Sequence, residues 1–200
     1  MVKGQIEGVL ALPAPAGWVA KELTIFSGNL VARQIKLAKG KLLKVISVYS
    51  PAWPVNRERL NGIDTTGVRL TLNPDVWVCD LLWASLKQLQ PDPIEPWIIG
   101  GDFNLSETFD LWRGGPRGNR EYLDRMATLG LVESLRYSKG SLTPTFRNTS
   151  NNSIKHQMDH LFITKTLVQS LLACDTGSRE RIFDTGLSDH LPIITDFHLQ

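Results

Sequence analysis

The alternation of apolar and polar residues predicts β-strands in the first quarter of the chain. Residues 6–12 and 30–37 are short apolar stretches, and the second shows partial alternation. Residues 42–51 form a stronger stretch that is rich in β-branched side chains, and Pro51 ends it because proline interrupts a strand ladder. Residues 54–72 are polar and contain two glycine turns, which predicts a long loop.

A helical period replaces the strand pattern at residues 73–89. Asn73 is a suitable N-cap, and Pro74 is suited to the first helical position. The apolar residues that recur at helical spacing are Val78, Leu81, Leu82, Leu86 and Leu89. The pattern therefore predicts a helix with one face in the core, beginning directly after Asn73.

The second half of the chain again alternates strands with a helix. The predicted elements are strands at 97–99, 158–164 and 192–197, a helix at 121–129 and a loop at 113–119. Helices interleaved with strands are typical of an α/β layered domain. Because the 200 residues contain no internal repeat and no linker, we expect one domain over residues 1–200.

Composition and charge narrow the class of protein. Hydrophobic residues make up 42% of the chain and charged residues 21%, which is typical of a globular protein. The net charge of +2 permits an anionic partner without requiring one. Cys79 and Cys174 lie outside any CxxC spacing, so neither a disulfide framework nor a zinc site is indicated. A reducing compartment, and hence a cytoplasmic location, is the expectation. No apolar segment approaches the roughly 20 residues of a membrane span.

Polar side chains recur where predicted strands begin or end. They are Tyr49, Asp102, Asn104, Asp159 and the sequence Ser188-Asp189-His190. Each has an ordinary structural explanation: Tyr49 as a β-sheet residue, Asp159 in an ion pair, His190 as a hydrogen-bonded imidazole, and the others as turn or cap residues. Strand ends, however, converge at one edge of an α/β sheet. Hydrolysis of a phosphate ester needs an activated water, positive charge and donors for the phosphoryl oxygens. The co-occurrence of these side chains favours that chemistry.

Four motifs in this order resemble the endonuclease/exonuclease/phosphatase superfamily. They are SVYSP (47–51), GGDFN (100–104), QMDHLFIT (157–164) and LSDHLPI (187–193), and the PTF sequence at 144–146 also fits. The superfamily includes exonuclease III-like abasic-site endonucleases, DNase I, sphingomyelinases, inositol polyphosphate 5-phosphatases and retrotransposon endonucleases. The resemblance spans nearly the whole chain. It implies a DNase I-like α/β sandwich of two packed mixed β-sheets flanked by helices.

The resemblance also implies roles for the catalytic residues. Asp102 would accept a proton from the attacking water, and Asn104 would hold that water and a phosphoryl oxygen. Because alternate residues of a strand point to the same side, we expect these two side chains to face one phosphate together. His190 would donate a hydrogen bond to a non-bridging phosphate oxygen, and Asp159 would orient its ring. Tyr49 resembles the tyrosine that contacts the phosphate in the nuclease branch.

The metal site is where the chain departs from the family pattern. Asp189 and Asp102 are the expected ligands of Mg²⁺ or Mn²⁺, which prefer oxygen ligands. Family members begin with two further strands, the second ending in a Gln-Glu pair whose glutamate is a principal ligand, so we expect the fold to be N-terminally incomplete. Glu7 and Glu22 are the nearest glutamates, but neither ends an apolar strand. Three explanations stay open: the coding sequence begins further upstream, the chain is a degenerate remnant, or another segment completes the fold.

The function implied by the resemblance is metal-dependent phosphodiester hydrolysis, with DNA as the expected substrate. Tyr49 followed by Ser50 and Pro51 favours the nuclease branch over the lipid and inositide phosphatases. A phosphatase acting on a small or lipid phosphate is the enzymatic alternative. A catalytically dead binding remnant is the alternative from another class. An incomplete sheet would also leave backbone groups unpaired, so we expect self-association through it.

Overall fold

The computed structural model describes residues 5–13, 28–37, 40–111 and 118–199. Glu22 and most of the loop predicted at 113–119 lie outside these ranges. The side chain of Glu7 is also not described. Within the described ranges no helix is both long and apolar enough to cross a membrane. Cys79 and Cys174 are buried free thiols.

Strands and short helices alternate along the chain, as the sequence predicts. In chain order the strands and α-helices are β1 (Gln5–Val9), β2 (Leu30–Lys36), β3 (Leu42–Tyr49), α1 (Val78–Leu89), β4 (Trp97–Asp102), α2 (Asn119–Thr128), β5 (Leu131–Glu133), α3 (Ser134–Lys139), β6 (Phe146–Arg147), β7 (Ile154–His156), β8 (Asp159–Thr164), α4 (Lys165–Val168), β9 (Leu171–Thr176), α5 (Arg179–Ile182) and β10 (Ile193–Phe197). Short 3₁₀-helices lie at Arg57–Leu60, within the predicted long loop, and at Glu107–Leu111.

A six-stranded mixed sheet forms the centre of the fold. Its spatial order is β1-β2-β3-β4-β8-β5. β3 and β4 run parallel, and the other neighbours run antiparallel. Ile46 of β3 and Ile99 of β4 are fully buried and lie side by side in this sheet. Both are β-branched, as is common in buried central strands.

Apolar side chains cover both faces of this sheet. On one face, α1 contributes a large cluster that includes Leu81, Leu82 and Leu86, all fully buried. On the other face, Leu43 and Ile163 pack with residues of the antiparallel pair β9–β10. The chain is therefore layered as helix, large sheet and small sheet, which confirms the α/β layered architecture expected from the sequence.

Helix α1 begins later than the sequence predicts. Its N-cap is Trp77, and the backbone N–H of Trp77 donates to Oδ2 of Asp80 at 2.9 Å. Asn73 does not cap the helix. Its Oδ1 instead accepts from the backbone N–H of Asp75 at 3.1 Å, which closes a local turn. The prediction of a helix starting after Asn73 was wrong because the Asn73 side chain closes a turn with Asp75, while Asp80, inside α1, binds the N–H of the N-cap residue Trp77.

The carboxyl group of Asp80 makes the stability of the protein depend on pH. Asp80 is only 1% exposed. Burial raises the pKa of this carboxyl to about 7, although the N–H of Trp77 and the charge of Arg125 oppose the shift and Glu121 adds to it. Above the ordinary carboxyl pKa and up to about pH 7, the folded protein therefore holds a proton that the unfolded chain has released. Stability must fall as the pH rises through this window.

Replacing Asp80 by asparagine should remove this loss. Between pH 4 and pH 8 the parent protein should lose about 4 kcal/mol more unfolding free energy than Asp80→Asn does, since each unit of pKa shift is worth about 1.4 kcal/mol. Urea unfolding at a series of pH values measures the difference. Asp124→Asn, at an exposed helix position, is the matched control and should follow the parent. Parallel curves for the parent and Asp80→Asn would contradict the expectation.

Candidate active site

The candidate site lies where β3 and β4 end and β8 begins. Tyr49, the last residue of β3, is the register partner of Asp102, the last residue of β4. Asp102 is in turn the partner of Asp159, the first residue of β8. Side chains of directly paired residues project to the same face of a sheet. The register therefore places three of the predicted residues in one row across neighbouring strands.

Two glycines allow β4 to lie close to both neighbouring strands. A Cβ atom on Gly100 would collide with the side chain of Leu161 in β8, and one on Gly101 would collide with the backbone of Val48 in β3. Gly101 also has a φ of 146°, which residues with a side chain rarely adopt. Gly100 and Gly101 of the GGDFN motif therefore allow the close strand packing that places Asp102 at this edge of the sheet.

Gly101→Ala should strongly destabilise the fold. The added methyl group meets the backbone of Val48 and the residue must keep an unfavourable φ, so we expect a loss of at least about 3 kcal/mol of unfolding free energy. Gly67→Ala is the control, because a Cβ there meets nothing within 4 Å. It should change stability by about 1 kcal/mol or less. Equal denaturation midpoints for both variants would contradict this account of Gly101.

Asn104 fixes the carboxylate of Asp102 from two directions. Its backbone N–H donates to Oδ1 of Asp102 at 2.8 Å, and its side-chain Nδ2 donates to Oδ2 at 2.9 Å. The same Nδ2 also donates to the carbonyl of Ser50 at 2.8 Å. Asn104 has a φ of 46°, a left-handed conformation that asparagine tolerates. Asp102 and Asn104 thus meet through a turn after β4, and not through alternation along a strand as expected from the sequence.

His190 and Asp159 form a hydrogen-bonded pair. Nδ1 of His190 donates to Oδ2 of Asp159 at 2.9 Å, although the residues are 31 positions apart in sequence. This hydrogen bond raises the pKa of His190; burial opposes the rise, and the negative charges of Asp159, Asp102 and Asp189 add to it. The ring also packs against Phe146, at 5.0 Å between ring centroids. The arrangement favours an oriented, positively charged imidazole.

Thr145 helps to position the start of β8, a role that was not predicted from the sequence. It is fully buried, and its Oγ1 accepts from the backbone N–H groups of Met158 and Asp159, each at 3.1 Å. Its backbone carbonyl accepts from the N–H of Leu191 at 2.7 Å. Thr145 therefore ties the start of β8 to the segment that carries His190. The PTF sequence at 144–146 was the available signal, but it suggested no role for the threonine.

Asp102 and Asp159, whose carboxylates lie beside His190, could contribute oxygen ligands to a cation. One candidate ligand atom from each of these three residues lies within 4.8 Å of the others. Burial raises the pKa of Asp102 to about 6; the N–H of Asn104 opposes this, and the nearby carboxylate of Asp159 raises the pKa further. Half-buried carboxylates that destabilise one another are stabilised by a bound cation, so these two carboxylates fit a hard divalent metal.

Asp189 and Tyr49 lie beside this group. Among the described residues, the group of close ligand atoms does not include Asp189, which was predicted as a metal ligand. Its charge nevertheless acts on both Asp102 and His190. The side chain of Tyr49 is 49% exposed, next to Asp102 in the register. It can therefore contact a ligand that approaches the site from solvent.

Comparison with solved structures shows what fold this is. No family model and no curated protein matches the sequence. The 3' phosphatase NExo from Neisseria, solved with a product DNA hairpin, superposes with a TM-score of 0.64 over 98% of this chain and 72% of its own, at 14% identity. An AP endonuclease from Archaeoglobus fulgidus gives a TM-score of 0.62 over 99% and 80%, at 15% identity. The chain has the fold of the endonuclease/exonuclease/phosphatase superfamily.

A third similar structure matches most of this chain but only part of its own length. The catalytic domain of APE2 from Xenopus laevis has a TM-score of 0.56 and 17% identity, over 90% of this chain and 59% of that domain. The endonuclease/exonuclease/phosphatase fold expected from the four motifs is confirmed. In this fold the motifs lie at the end of β3, the end of β4, the start of β8 and just before β10, and the first three meet at one edge of the large sheet.

Proposed function

We propose that the protein is a divalent-metal-dependent phosphodiesterase that acts on DNA. The observation that carries the proposal is the cluster of Asp102, Asp159 and His190 at one edge of the large sheet. Two carboxylates and a hydrogen-bonded histidine supply a base, oxygen ligands and a positively charged donor. Phosphoester hydrolysis requires all three.

Asp102 is proposed to accept the proton of the attacking water. A general base is most effective when its pKa is near the working pH, and burial raises the pKa of Asp102 to about 6. Asn104 holds this carboxylate through two hydrogen bonds, so its orientation is set before substrate arrives. Asn104 is also proposed to orient the water and one phosphoryl oxygen.

His190 and Tyr49 are proposed to hold the phosphate. A raised pKa favours the charged imidazole, which donates from Nε2 to a non-bridging oxygen while Nδ1 stays bonded to Asp159. The exposed Tyr49 contacts the same phosphate from the end of β3. Asp102 and Asp189 are the proposed oxygen ligands for Mg²⁺ or Mn²⁺, and the bound cation would neutralise charge that develops on the phosphate.

DNA is the proposed substrate for two reasons. The similar structures include an AP endonuclease and a 3' phosphatase that was solved with product DNA. The net charge of +2 also permits binding of a polyanion. Whether the protein cuts within a strand, removes terminal nucleotides or removes a 3'-phosphate is decided by the experiment below.

Metal-dependent cleavage tests the proposal. The purified protein is incubated with supercoiled plasmid, with a labelled oligonucleotide duplex and with the same duplex carrying a 3'-phosphate, while Mg²⁺ or Mn²⁺ is titrated. We expect nicking, shortening or phosphate release that rises with metal and stops with excess EDTA. Binding of DNA without any metal-dependent product would support the binding-remnant alternative. Release of phosphate from inositol or lipid phosphates but not from DNA would support the alternative of a phosphatase.

We also propose that the protein self-associates through strand β10. β10 pairs with β9 on one side, and no other described strand pairs with it. Its residue Ile194 is 54% exposed, and an open, partly apolar edge strand favours pairing with another chain. Sedimentation velocity should show concentration-dependent dimers that Ile194→Lys abolishes. Leu111→Lys, at an exposed apolar residue outside β10, is the control, and a protein that is monomeric at all concentrations would contradict the proposal.

A further inference from the structure

His160 follows Asp159 in β8, and its side chain projects to the opposite face of the strand. It is only 3% exposed. Its ring meets that of Phe103 edge-on, at 5.6 Å between ring centroids, and stacks on that of Phe162 at 5.7 Å. Phe103 stands between Asp102 and Asn104 in the chain. His160 therefore packs against the buried side chain of the turn that carries the proposed base.

Two hydrogen bonds hold this turn to the segment that begins β8. The backbone N–H of Phe103 donates to the carbonyl of Met158 at 3.0 Å, which fixes the start of the turn. Nε2 of His160 donates to the backbone carbonyl of Leu105 at 2.9 Å, which fixes its end. Leu105 is only 4% exposed, and a carbonyl buried in this way needs a donor. Among the residues that the structure describes, His160 is the donor that this carbonyl has.

The hydrogen bonds around His160 define its tautomer. Oε1 of Gln157 accepts from the backbone N–H of Thr143 at 3.1 Å, so the amide nitrogen of Gln157 faces Nδ1 of His160, at 3.3 Å. An amide nitrogen only donates, so Nδ1 is the acceptor and the ring proton is on Nε2. Oε1 of Glu133 lies 4.0 Å from Nδ1, beyond hydrogen-bond distance. The ring is therefore held as a donor toward Leu105.

We propose that His160 is a positioning residue, which holds the turn from Asp102 to Leu105 against β8 and so fixes the proposed base relative to Asp159. This inference rests on the proposed function, in which Asp102 accepts the proton of the attacking water. His160 is buried, so it acts on the reaction only through the turn. The position of the turn matters because a displacement of about 1 Å in a reacting group can lower a rate by about a hundredfold.

Three substitutions separate the hydrogen bond of His160 from its packing. His160→Gln keeps a donor, because the amide nitrogen of glutamine is the same number of bonds from Cβ as Nε2 of histidine. His160→Asn carries the same amide on a shorter side chain that does not reach Leu105. His160→Phe keeps a ring against Phe103 and Phe162 but cannot donate. His198→Phe makes the matched change at an exposed histidine outside this group.

Amide hydrogen exchange tests the proposal without catalysis. The reporter is the backbone N–H of Asn104, which donates to Oδ1 of Asp102. In His160→Phe and His160→Asn it should exchange about five- to tenfold faster than in the parent, the effect of one lost hydrogen bond on the opening of the turn. In His160→Gln and His198→Phe it should exchange at the parent's rate.

A second reporter and the ring itself provide the controls. The N–H of Gln90, which donates to the carbonyl of Leu86 at the end of α1, should exchange at the parent's rate in every variant. Unchanged exchange at Asn104 in His160→Phe and His160→Asn, or equal acceleration at Gln90, would overturn the proposal. NMR of the imidazole nitrogens at pH 8, assigned with His160→Gln, should show the proton of His160 on Nε2. A proton on Nδ1 would also overturn it, because the donor to Leu105 would be missing.

In an active enzyme the same variants should change kcat more than KM. For metal-dependent DNA cleavage, His160→Phe and His160→Asn should lower kcat about ten- to a hundredfold, with KM within about twofold of the parent, because the base is displaced while the groups that hold the phosphate remain. His160→Gln should restore most of kcat, and His198→Phe should match the parent. A parent-like kcat in His160→Phe, or a change in KM alone, would overturn the proposal.

The outcomes also separate this inference from the proposed function. Metal-dependent DNA cleavage by the parent, together with unchanged exchange at Asn104 in every variant, would overturn the role of His160 and leave the phosphodiesterase proposal standing. Faster exchange at Asn104 in His160→Phe and His160→Asn, without cleavage by the parent under any metal, would support the positioning of the turn and count against catalysis.

Discussion

Asp102→Asn should lower metal-dependent DNA cleavage by two to four orders of magnitude, which is the range associated with the loss of a general base. Asparagine preserves the shape of the side chain but cannot accept the proton of the attacking water. Asn104 donates one hydrogen bond to each carboxylate oxygen of Asp102. The amide that replaces the carboxylate has only one oxygen, so one of these two hydrogen bonds is lost. The measurement is the ratio kcat/KM in a plasmid-nicking or oligonucleotide assay at saturating Mg²⁺.

The loss in Asp102→Asn must be separated from a loss of folding. Urea unfolding should show a change of only about 1 kcal/mol, the usual value of a single hydrogen bond. Asp124→Asn makes the same chemical change at an exposed helix position and should retain full activity. Equal turnover by Asp102→Asn and the parent would rule out Asp102 as the base.

Asp159→Ala and His190→Ala should behave as changes to one functional unit. Each single variant should lose about two orders of magnitude or more in kcat/KM, since an unoriented imidazole and a missing imidazole both fail to donate to the phosphate. The double variant should lose far less than the product of the two single effects, because Nδ1 of His190 and Oδ2 of Asp159 are in direct contact at 2.9 Å.

A double-mutant cycle with kcat/KM as the readout measures this coupling. The unfolding free energies of the three variants are measured in parallel, so that a shared loss of stability is not read as coupling in catalysis. Fully multiplicative effects on kcat/KM would show that the two residues act separately. Asp159 would then be a structural residue at the start of β8.

The strands that carry the site were accessible to sequence reasoning. β3, β4 and β8 are central strands, and each shows a largely apolar stretch in the sequence because both of its faces are covered. The residues at their ends stand out against these runs. The positions of Tyr49, Asp102 and Asp159 at strand ends were therefore predictable, within the error expected for element boundaries.

Short elements were not accessible in the same way. β5, β6 and β7 contain only two or three residues each, which is too short to show a period of two. β9 was also missed, because its sequence LLACDT carries no clear alternation and its position depends on pairing with β10. The start of α1 was misplaced because both Asn73 and Asp80 can cap, and only the folded chain selects between them.

The sequence by itself determined the layered α/β class, the identity of the polar side chains and their placement at the ends of apolar strands, since these follow from local patterns over a few residues. Only the tertiary structure decided the distances. His190 reaches Asp159 across 31 residues, and Tyr49, Asp102 and Asp159 share a row because of the pairing register of three strands. A shift of one residue in that register would turn the side chains to the other face. Packing likewise decided that Asp80 is buried with one unpaired oxygen, because burial depends on which distant residues surround a position and not on its neighbours in sequence.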